Sequence, residues 1–411
     1  MKKHALLATS MLFPAVMSLG AGYQLNLQGL RQLAMGGGGA AWVWDASTIF
    51  YNPAGLSRMD GIQAYGSALF IMPSTKYIQQ PTGGYSYTSK EQTFVPFNVY
   101  VGGTVGKQKR LGVGLGVYTP FGSGLKWDDD WTGRYVNQSI KLQSIFFQPT
   151  VSYRVSDIVS VGAGFVYATG NVDLRQALPV QDQTGADGEA ELKGNANGLG
   201  YNLGVHIQAN SNLQFGLTYR SEVKMKVNSG NATFNVPTSL SSEFPNTGFS
   251  TSLPLPQVLS VGVGYRICER LVLTANFDLV GWKSYDTLRF DYDQQTAQLQ
   301  NTRTPRLYKN TLAMRAGANY KICKSFNLMA GIAYDPSPVR DGYVSPELPD
   351  ANRLVLTGGL SYKPAKKLTI LAAVEYVTSE KRNSTFIPAG LSGQYQTKAI
   401  TPGIGVSYDF K

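Results

Sequence analysis

The stretch Asp45-Ala-Ser-Thr-Ile-Phe-Tyr-Asn-Pro-Ala-Gly-Leu56 decides how this chain is read. It is compact and rich in turn formers, and a glycine-rich run from Met35 to Ala41 precedes it. Everything after residue 60 reads as strand and turn. A short turn-rich segment ahead of a long strand array is the layout of a plug in front of a barrel. The chain therefore divides into a secretory signal at 1–20, a hatch or plug at 21–59, and a transmembrane barrel at 60–411.

The signal rests on Lys2-Lys3, an apolar stretch from Ala5 to Met17, and Ser18-Leu-Gly20. These are a basic start, an apolar core and a small-residue cleavage site. No later window of about 18 apolar residues follows, which excludes transmembrane helices. The chain holds 45 Gly, 24 Tyr and only 15% charged residues, against about 25% charge in an ordinary soluble domain. Tyr and Gly suit twisted strands, interfacial girdles and wet lumens. The formal charge of +11 is scattered. With no basic run and no recognition helix, nucleic-acid binding has no support. The positives suit rims and lumen, facing outer-membrane lipid head groups or acidic solutes.

Two kinds of connection alternate along residues 60–411. Short polar ones fall at 106–110, 156–157, 209–212, 268–270, 321–325 and 363–367. Long turn-rich ones fall near 73–91, 122–138, 178–188, 236–254, 292–308, 336–351 and 381–396. Strict alternation of tight turns and long loops marks an antiparallel membrane barrel. It gives an all-β fold of about fourteen strands with both chain ends on the periplasmic side. Period-two patterning agrees: Leu271, Leu273, Ala275, Phe277 and Leu279 share one face, while Val272, Thr274, Asn276, Asp278 and Val280 share the other. The last strand places Ile404, Val406, Tyr408 and Phe410 on one face, resembling the aromatic-ended C-terminal signal of outer-membrane barrels, with Lys411 added. Cys268 and Cys323 end strands at short turns. Two strand spacings, roughly 10 Å, exceed the about 7 Å that a disulfide spans, which argues against a bridge without excluding one.

Three blocks resemble the outer-membrane long-chain fatty-acid transporter family (FadL type, which includes aromatic-hydrocarbon transporters). The first is Ala21-Gly-Tyr-Gln-Leu-Asn26 with Gly36–Ala41 and Asn52-Pro53-Ala54-Gly55. The second runs Tyr118-Thr-Pro-Phe-Gly-Ser-Gly-Leu-Lys-Trp127 and Trp131-Thr-Gly-Arg-Tyr135. The third is Tyr334-Asp-Pro-Ser-Pro-Val339 with Leu348-Pro-Asp-Ala-Asn-Arg353. Together they span nearly the whole mature chain. The resemblance implies a monomeric fourteen-strand barrel in the outer membrane of a Gram-negative bacterium, its lumen closed by a hatch that carries Asn52, Pro53, Ala54 and Gly55. It implies diffusion-driven uptake of hydrophobic small molecules, fatty acids or aromatic hydrocarbons. In such a family member ligand lands on an apolar groove of the outer loops, enters a lumen pocket and leaves sideways near the third strand, and the resemblance implies the same route here.

The residues can be read physically beside that frame. Phe121, Leu125, Trp127, Trp131 and Tyr135 are large apolar groups on an outer loop, and form either an exposed ligand groove or packing and interfacial girdle. The third strand, Leu111-Gly-Val-Gly-Leu-Gly-Val-Tyr-Thr-Pro120, turns Gly112, Gly114 and Gly116 inward, leaving space beside the wall. Pro120 cannot donate a ladder hydrogen bond. Gly116, Tyr118 and Pro120 are thus the candidates for a lateral opening, against an ordinary strand end. Alternation places Asp278, Arg315, Asp335, Arg353 and Glu375 in the lumen, where charges need partners. Arg315, Asp335 and Arg353 either tether the hatch and each other or hold a fatty-acid carboxylate, which Arg can clamp with two parallel bonds.

Catalysis has no support. After signal removal His206 is the only histidine, with no serine nucleophile arranged around it. There is no zinc cluster, no phosphate loop and no implied cofactor. Asp128-Asp-Asp130 offers oxygen ligands of the kind Ca²⁺ takes, although a solvated loop explains it as well. A general diffusion porin for small polar solutes is the alternative function. Such a pore keeps an open, charge-ringed lumen, which a hatch would contradict.

Overall fold

The computed structural model describes residues 22–81 and 83–410. The signal expected at residues 1–20, like Lys411, lies outside the described residues. Twenty-two hydrogen-bonded segments form one sheet, and they merge into fourteen staves, eight of them interrupted. The first seven are β1 (Ile62–Leu69, resumed at Met72–Gln79), β2 (Ser86–Thr88 and Phe97–Val105), β3 (Leu111–Tyr118 and Gly122–Lys126), β4 (Ser139–Arg154), β5 (Val159–Gln181), β6 (Asp187–Gln208) and β7 (Leu213–Arg220 and Val223–Asn235). The rest are β8 (Thr247–Leu255 and Val258–Cys268), β9 (Leu271–Val280 and Thr287–Tyr292), β10 (Thr302–Pro305 and Thr311–Lys321), β11 (Phe326–Asp335), β12 (Arg353–Ala365), β13 (Leu368–Ser379 and Arg382–Phe386) and β14 (Leu391–Asp409). Each pairs antiparallel with its sequence neighbour, and β1 closes the ring on β14 from Gln63↔Asp409 to Leu69↔Gly403. Closure leaves no open edge, which a sheet in hydrocarbon requires.

Side chains follow the pleat. On β3, Leu111, Val113 and Leu115 are exposed on the outer face. On β9, Leu273, Phe277 and Leu279 are exposed while Asn276 and Asp278 are buried inside. Tyr153, Tyr265, Tyr320, Phe326, Tyr362 and Tyr408 are exposed near the short-turn ends. They form the aromatic girdle of a membrane interface. Cys268 and Cys323 are both exposed and unbridged.

All six short connections occur where the sequence places them. The long ones differ. Much of 73–91, 178–188 and 381–396 is laddered: Met72–Gln79 pairs with β14, and β5 and β6 stay zipped to Gln181↔Asp187. Polar, glycine-rich sequence reads as loop, but beyond the membrane a strand tolerates polar residues on both faces.

Candidate functional site

Residues 22–61 precede β1 and lie within the ring. They hold two short helices, α1 (Leu30–Ala34) and α2 (Thr48–Tyr51), and a 3₁₀ turn, Pro53–Arg58. Asn52 is fully buried. Its amide donates to the Ala40 carbonyl (2.7 Å) and to the Val205 carbonyl of β6 (3.1 Å), and its side-chain oxygen accepts from the Ala54 N–H (3.1 Å). One side chain thus joins two parts of the segment, ties both to the wall and caps the 3₁₀ turn, with Pro53 in the first position where no N–H is needed. Gly55 packs so closely that a Cβ there would collide with the Thr48 hydroxyl and Val43. Ala54 is fully buried, and its carbonyl accepts from Ser152 of β4 (3.0 Å).

The wall makes room for this segment. A Cβ on Gly112 would meet Leu56, and on Gly114 and Gly116 it would meet Ile49. Wall side chains then bond the segment's backbone from many sides. Asn98 donates to Leu27 (2.7 Å), Gln148 to Ile49 (2.7 Å), Asn202 to Phe50 (3.0 Å) and Arg220 also to Phe50 (3.0 Å). His206 meets the Ala41 carbonyl at 2.8 Å. The Arg220 guanidinium also lies 3.7 Å from the Phe50 ring centroid, a cation–π contact. Arg220 was legible only as the charged member of the inward face Gly216, Thr218, Arg220.

The ladder between β2 and β3 stops at Asn98↔Tyr118. Beyond it, Gly122–Lys126 is laddered to β4, and Lys90 donates to the Lys126 carbonyl (2.7 Å) at the far end of the interruption. Gly116 sits inside the ladder, paired on both sides, and Tyr118 is its last paired residue, at the edge of the interruption. Pro120 stands at the interruption. There the N-terminal segment substitutes for the missing neighbour: Leu25 donates to the Pro120 carbonyl (2.8 Å) and Gly122 to the Tyr23 carbonyl (3.1 Å). Farther along, the Phe94 ring fills the place of a Cβ on Gly124.

Two adjoining cavities flank this point. The outer one, about 480 Å³, is lined by Leu142, Val172, Leu192, Met225, Phe290 and other apolar groups, and by Tyr135. The inner one, about 420 Å³, is lined by Leu25, Phe94, Gly122, Leu125, Thr401 and the charged groups Arg315, Asp335, Arg353 and Glu375. Tyr23, Phe121 and Leu348 line both and form the partition. Tyr23 is fixed by its hydroxyl bond to Pro254 (2.6 Å) and by edge packing on Trp282 at 4.8 Å. Burial pushes the Tyr23 phenol well above its usual range.

Of the expected groove residues, Phe121, Leu125 and Tyr135 line cavities, while Trp127 and Trp131 do not. The two tryptophans are fully buried, stacked on each other at 4.6 Å and packed edge-on against Tyr77. Of the two readings open for these residues, groove or packing, the two tryptophans take packing, and their place in the expected groove is corrected. Their partners lie on other strands and pull them inside. Lys90 stands 3.4 Å from Asp128 and 4.0 Å from Asp129, so this acidic run has its own counter-charge. Arg315 pairs with Asp278 (2.8 Å) and Asp335 (3.4 Å) and reaches the Gly36 carbonyl (3.4 Å). Arg353 pairs with Asp350 (2.5 Å) and reaches the Gly22 carbonyl (3.1 Å). Both arginines thus contact the N-terminal segment.

The sequence profile of the family described as outer membrane protein transport protein (OMPP1/FadL/TodX) matches residues 11–410. The long-chain fatty acid transport protein of Escherichia coli O6:H1 is 25% identical over 388 residues, covering 85% of each chain. Among solved structures, a Pseudomonas aeruginosa FadL homologue superposes with a TM-score of 0.82 at 20% identity, over 95% of this chain and 100% of that one. The P. putida toluene transporter TodX superposes with a TM-score of 0.75 at 18% identity, over 93% and 98%. At those identities the structural likeness shows the fold alone.

Proposed function

The chain belongs to the outer membrane protein transport protein family (OMPP1/FadL/TodX), and we propose that it passes hydrophobic small molecules inward by diffusion. It is an outer-membrane transport barrel and not an enzyme. The observation that carries the proposal is the pair of adjoining cavities, mostly apolar outside and more heavily charged inside, parted by Tyr23, Phe121 and Leu348. A fatty-acid transporter and a toluene transporter among its relatives bracket the cargo between acyl chains and aromatic rings. Capture falls to the outer cavity, with Phe121, Leu125 and Tyr135 along the way. Residues 21–59 act as the hatch, held by Asn52, Pro53, Ala54 and Gly55, and the protein works as a monomer.

Lateral exit at Pro120, between Phe94 and Gly124, has specific support. The inner cavity's lining includes inward-facing Arg315 and Thr401, and also Lys141. Lys141 alternates with Ile140 and Leu142 and so belongs to the other face of β4. A lining that takes in both faces of β4 supports a route through the wall at this point. The filled lumen speaks against the porin alternative.

The test is uptake of tritiated oleate and of toluene by cells lacking their own transporter, with and without this protein. Uptake of either supports the proposal. High conductance in a planar bilayer with no uptake overturns it. For the exit, Phe94→Cys with Gly124→Cys is made in a Cys268→Ser, Cys323→Ser background. Bridging the two is expected to stop uptake and dithiothreitol to restore it; undiminished uptake by the bridged protein removes the lateral route.

A further inference from the structure

We propose that the tight-turn rim of the barrel carries, from β8 to β13, a binding surface for anionic glycerophospholipid head groups of the phosphatidylglycerol class, in the leaflet that faces the periplasm. This surface is independent of the cargo and of the uptake reading. It needs only the closed barrel and the end that holds the tight turns.

The positive charge is scattered in sequence and gathered in the fold. Lys2 and Lys3 supply two of the formal +11, so the rest of the chain carries +9. Three successive tight turns, β8–β9, β10–β11 and β12–β13, hold seven cations with the strand ends beside them. These are Arg266 and Arg270, then Lys321 and Lys324, then Lys363, Lys366 and Lys367. Two carboxylates face them, Glu269 in the first turn and Asp409 on the neighbouring β14. Seven cations against two carboxylates leave this arc at +5, more than half of the +9. Behind it, Arg31 and Asp45 of the N-terminal segment offset each other at 4.0 Å. Main-chain bonds set the turns side by side. The Lys321 N–H donates to the Arg270 carbonyl (2.7 Å), and the Lys363 N–H to the Ser325 carbonyl (2.8 Å). At about 4.8 Å per strand the arc is roughly 25 Å wide, enough for a few head groups.

Most of these cations do nothing for the fold. Arg270, Lys321, Lys324, Lys366 and Lys367 are exposed, and among the described residues their side chains make neither a hydrogen bond nor an ion pair. Lys363 meets Asp409 at 3.7 Å, and Arg266 lies 5.2 Å from the Trp42 ring centroid. The rest of the rim differs. Arg58 donates to the Asp157 carbonyl (2.6 Å) and Arg154 to the Ser57 carbonyl (2.9 Å), while Lys109 pairs with Asp60 at 3.2 Å. The β6–β7 turn, Ala209-Asn-Ser-Asn212, has no charge. Lys107 and Arg110 are exposed in the β2–β3 turn, beyond β14 and β1 from the arc.

What abuts the cations selects the partner. On the outer face Tyr265, Ile267, Tyr320, Ile322, Phe326 and Tyr362 are exposed up to the turns, and Phe326 stacks on Tyr362 at 4.5 Å. Apolar wall passes directly into unpaired positive charge. A phospholipid meets both at once. Its acyl chains lie on the Ile and Tyr side chains, and the lysine stems run along the interface to bring their ammonium groups to the phosphate. Clustered cations beside a membrane-spanning element attract anionic lipid in this way, each adding to the others. An acidic soluble protein would use the charges alone.

The native thiols give the experiment its reporters, because Cys268 and Cys323 lie in the arc and are exposed. The full-length protein, bimane-labelled at both, is reconstituted into phosphatidylcholine vesicles holding a minor share of phosphatidylglycerol or of phosphatidylethanolamine, either one brominated on its acyl chains. Quenching reads how much of each lies at the arc. Phosphatidylglycerol is expected to be enriched at least about threefold over phosphatidylethanolamine at low salt, and much less so in high salt. Arg270→Gln, Lys321→Gln, Lys324→Gln, Lys366→Gln and Lys367→Gln together are expected to abolish the preference, with heat-modifiable gel mobility showing that the barrel is intact. A label on Ser211→Cys, in a Cys268→Ser, Cys323→Ser background, is expected to show no preference. Equal quenching by the two lipids at the arc overturns the inference, as does a preference that survives the five substitutions or is matched at Ser211→Cys. Loss of the preference to soluble polyglutamate, at charge concentrations below that of the lipid, assigns the arc to an acidic protein and also overturns it.

Discussion

Replacing Asn52 by Ala should loosen the hatch without opening the barrel. The side chain makes three hydrogen bonds, to Ala40, Val205 and Ala54, and is fully buried. Truncation leaves two carbonyls and one N–H without these partners. At about 1 kcal/mol per lost neutral bond, the docked state weakens by about 3 kcal/mol. That corresponds to a shift of roughly a hundredfold or more in the docking equilibrium. The fourteen staves keep their ladders, because Asn52 belongs to none of them. The assay is hydrogen exchange followed by mass spectrometry on residues 40–58, with heat-modifiable gel mobility as the control for the barrel. Exchange there should quicken by one to two orders of magnitude while the control is unchanged. Protection within threefold of the unaltered protein would refute the view that Asn52 anchors the segment. A lost gel shift would instead show that segment and barrel fold as one unit.

Four further outcomes are expected. Gly55→Val forces a side chain into Thr48 and Val43, so it should reproduce the Asn52→Ala exchange pattern, read by the same measurement. Arg315→Met leaves Asp278 and Asp335 without their cation; a cost of about 3 kcal/mol should lower the midpoint of the heat-modifiable transition. Trp127→Ala should destabilise by about 3 kcal/mol or more as a cavity forms beside Tyr77 and Trp131, and leave cellular uptake per folded barrel within twofold. At the loop end, Arg134 and then Tyr135 hold the Asp187 carboxyl below its ordinary range. A lowered folded value means the clasp contributes fully above the unfolded value of about 3.9 and is lost as pH falls through the folded one. Exchange of residues 131–138 should therefore be flat from pH 8 to 5, after correction for intrinsic rates, and rise only below about pH 4.

The barrel was legible because its signals are local. Alternation on β9 and the placement of tight turns need only neighbours in sequence. The inward glycines of β3 were legible as space, although not as space for Leu56 and Ile49 in particular. What escaped depends on partners far along the chain. Trp127 and Trp131 read as exposed because nothing near them predicts Tyr77 and Tyr395. The arginine partners were half legible: Asp335 and Arg353 are cross-strand neighbours in register, yet Arg353 turns to Asp350 and Arg315 takes Asp335. The Asn-Pro-Ala-Gly stretch stood out as a motif. Its physical reason, carbonyls at Ala40 and Val205, required the fold.

One short piece of chain sits at both thresholds of the proposed path. Tyr23 lies in the partition between the cavities, and residues 23–25 occupy the interruption of β3 through Pro120 and Gly122. On the proposed route, cargo moving from the outer to the inner cavity would pass the partition of Tyr23, Phe121 and Leu348 and displace Tyr23. The same displacement withdraws the strand partner that covers the break in the wall. If the side opening proposed at Pro120 is the exit, entry and exit are coupled through one element. The bonds that hold the element are few, two main-chain bonds to β3 and the Tyr23 hydroxyl to Pro254, each worth about 1 kcal/mol. A bound apolar molecule can offset that by burying a modest area at about 25 cal/mol per Å². Tyr23→Phe removes one of these bonds and keeps the ring, so it should raise uptake rate while leaving outer-cavity affinity unchanged. Slower uptake in that variant would place the two thresholds under separate control.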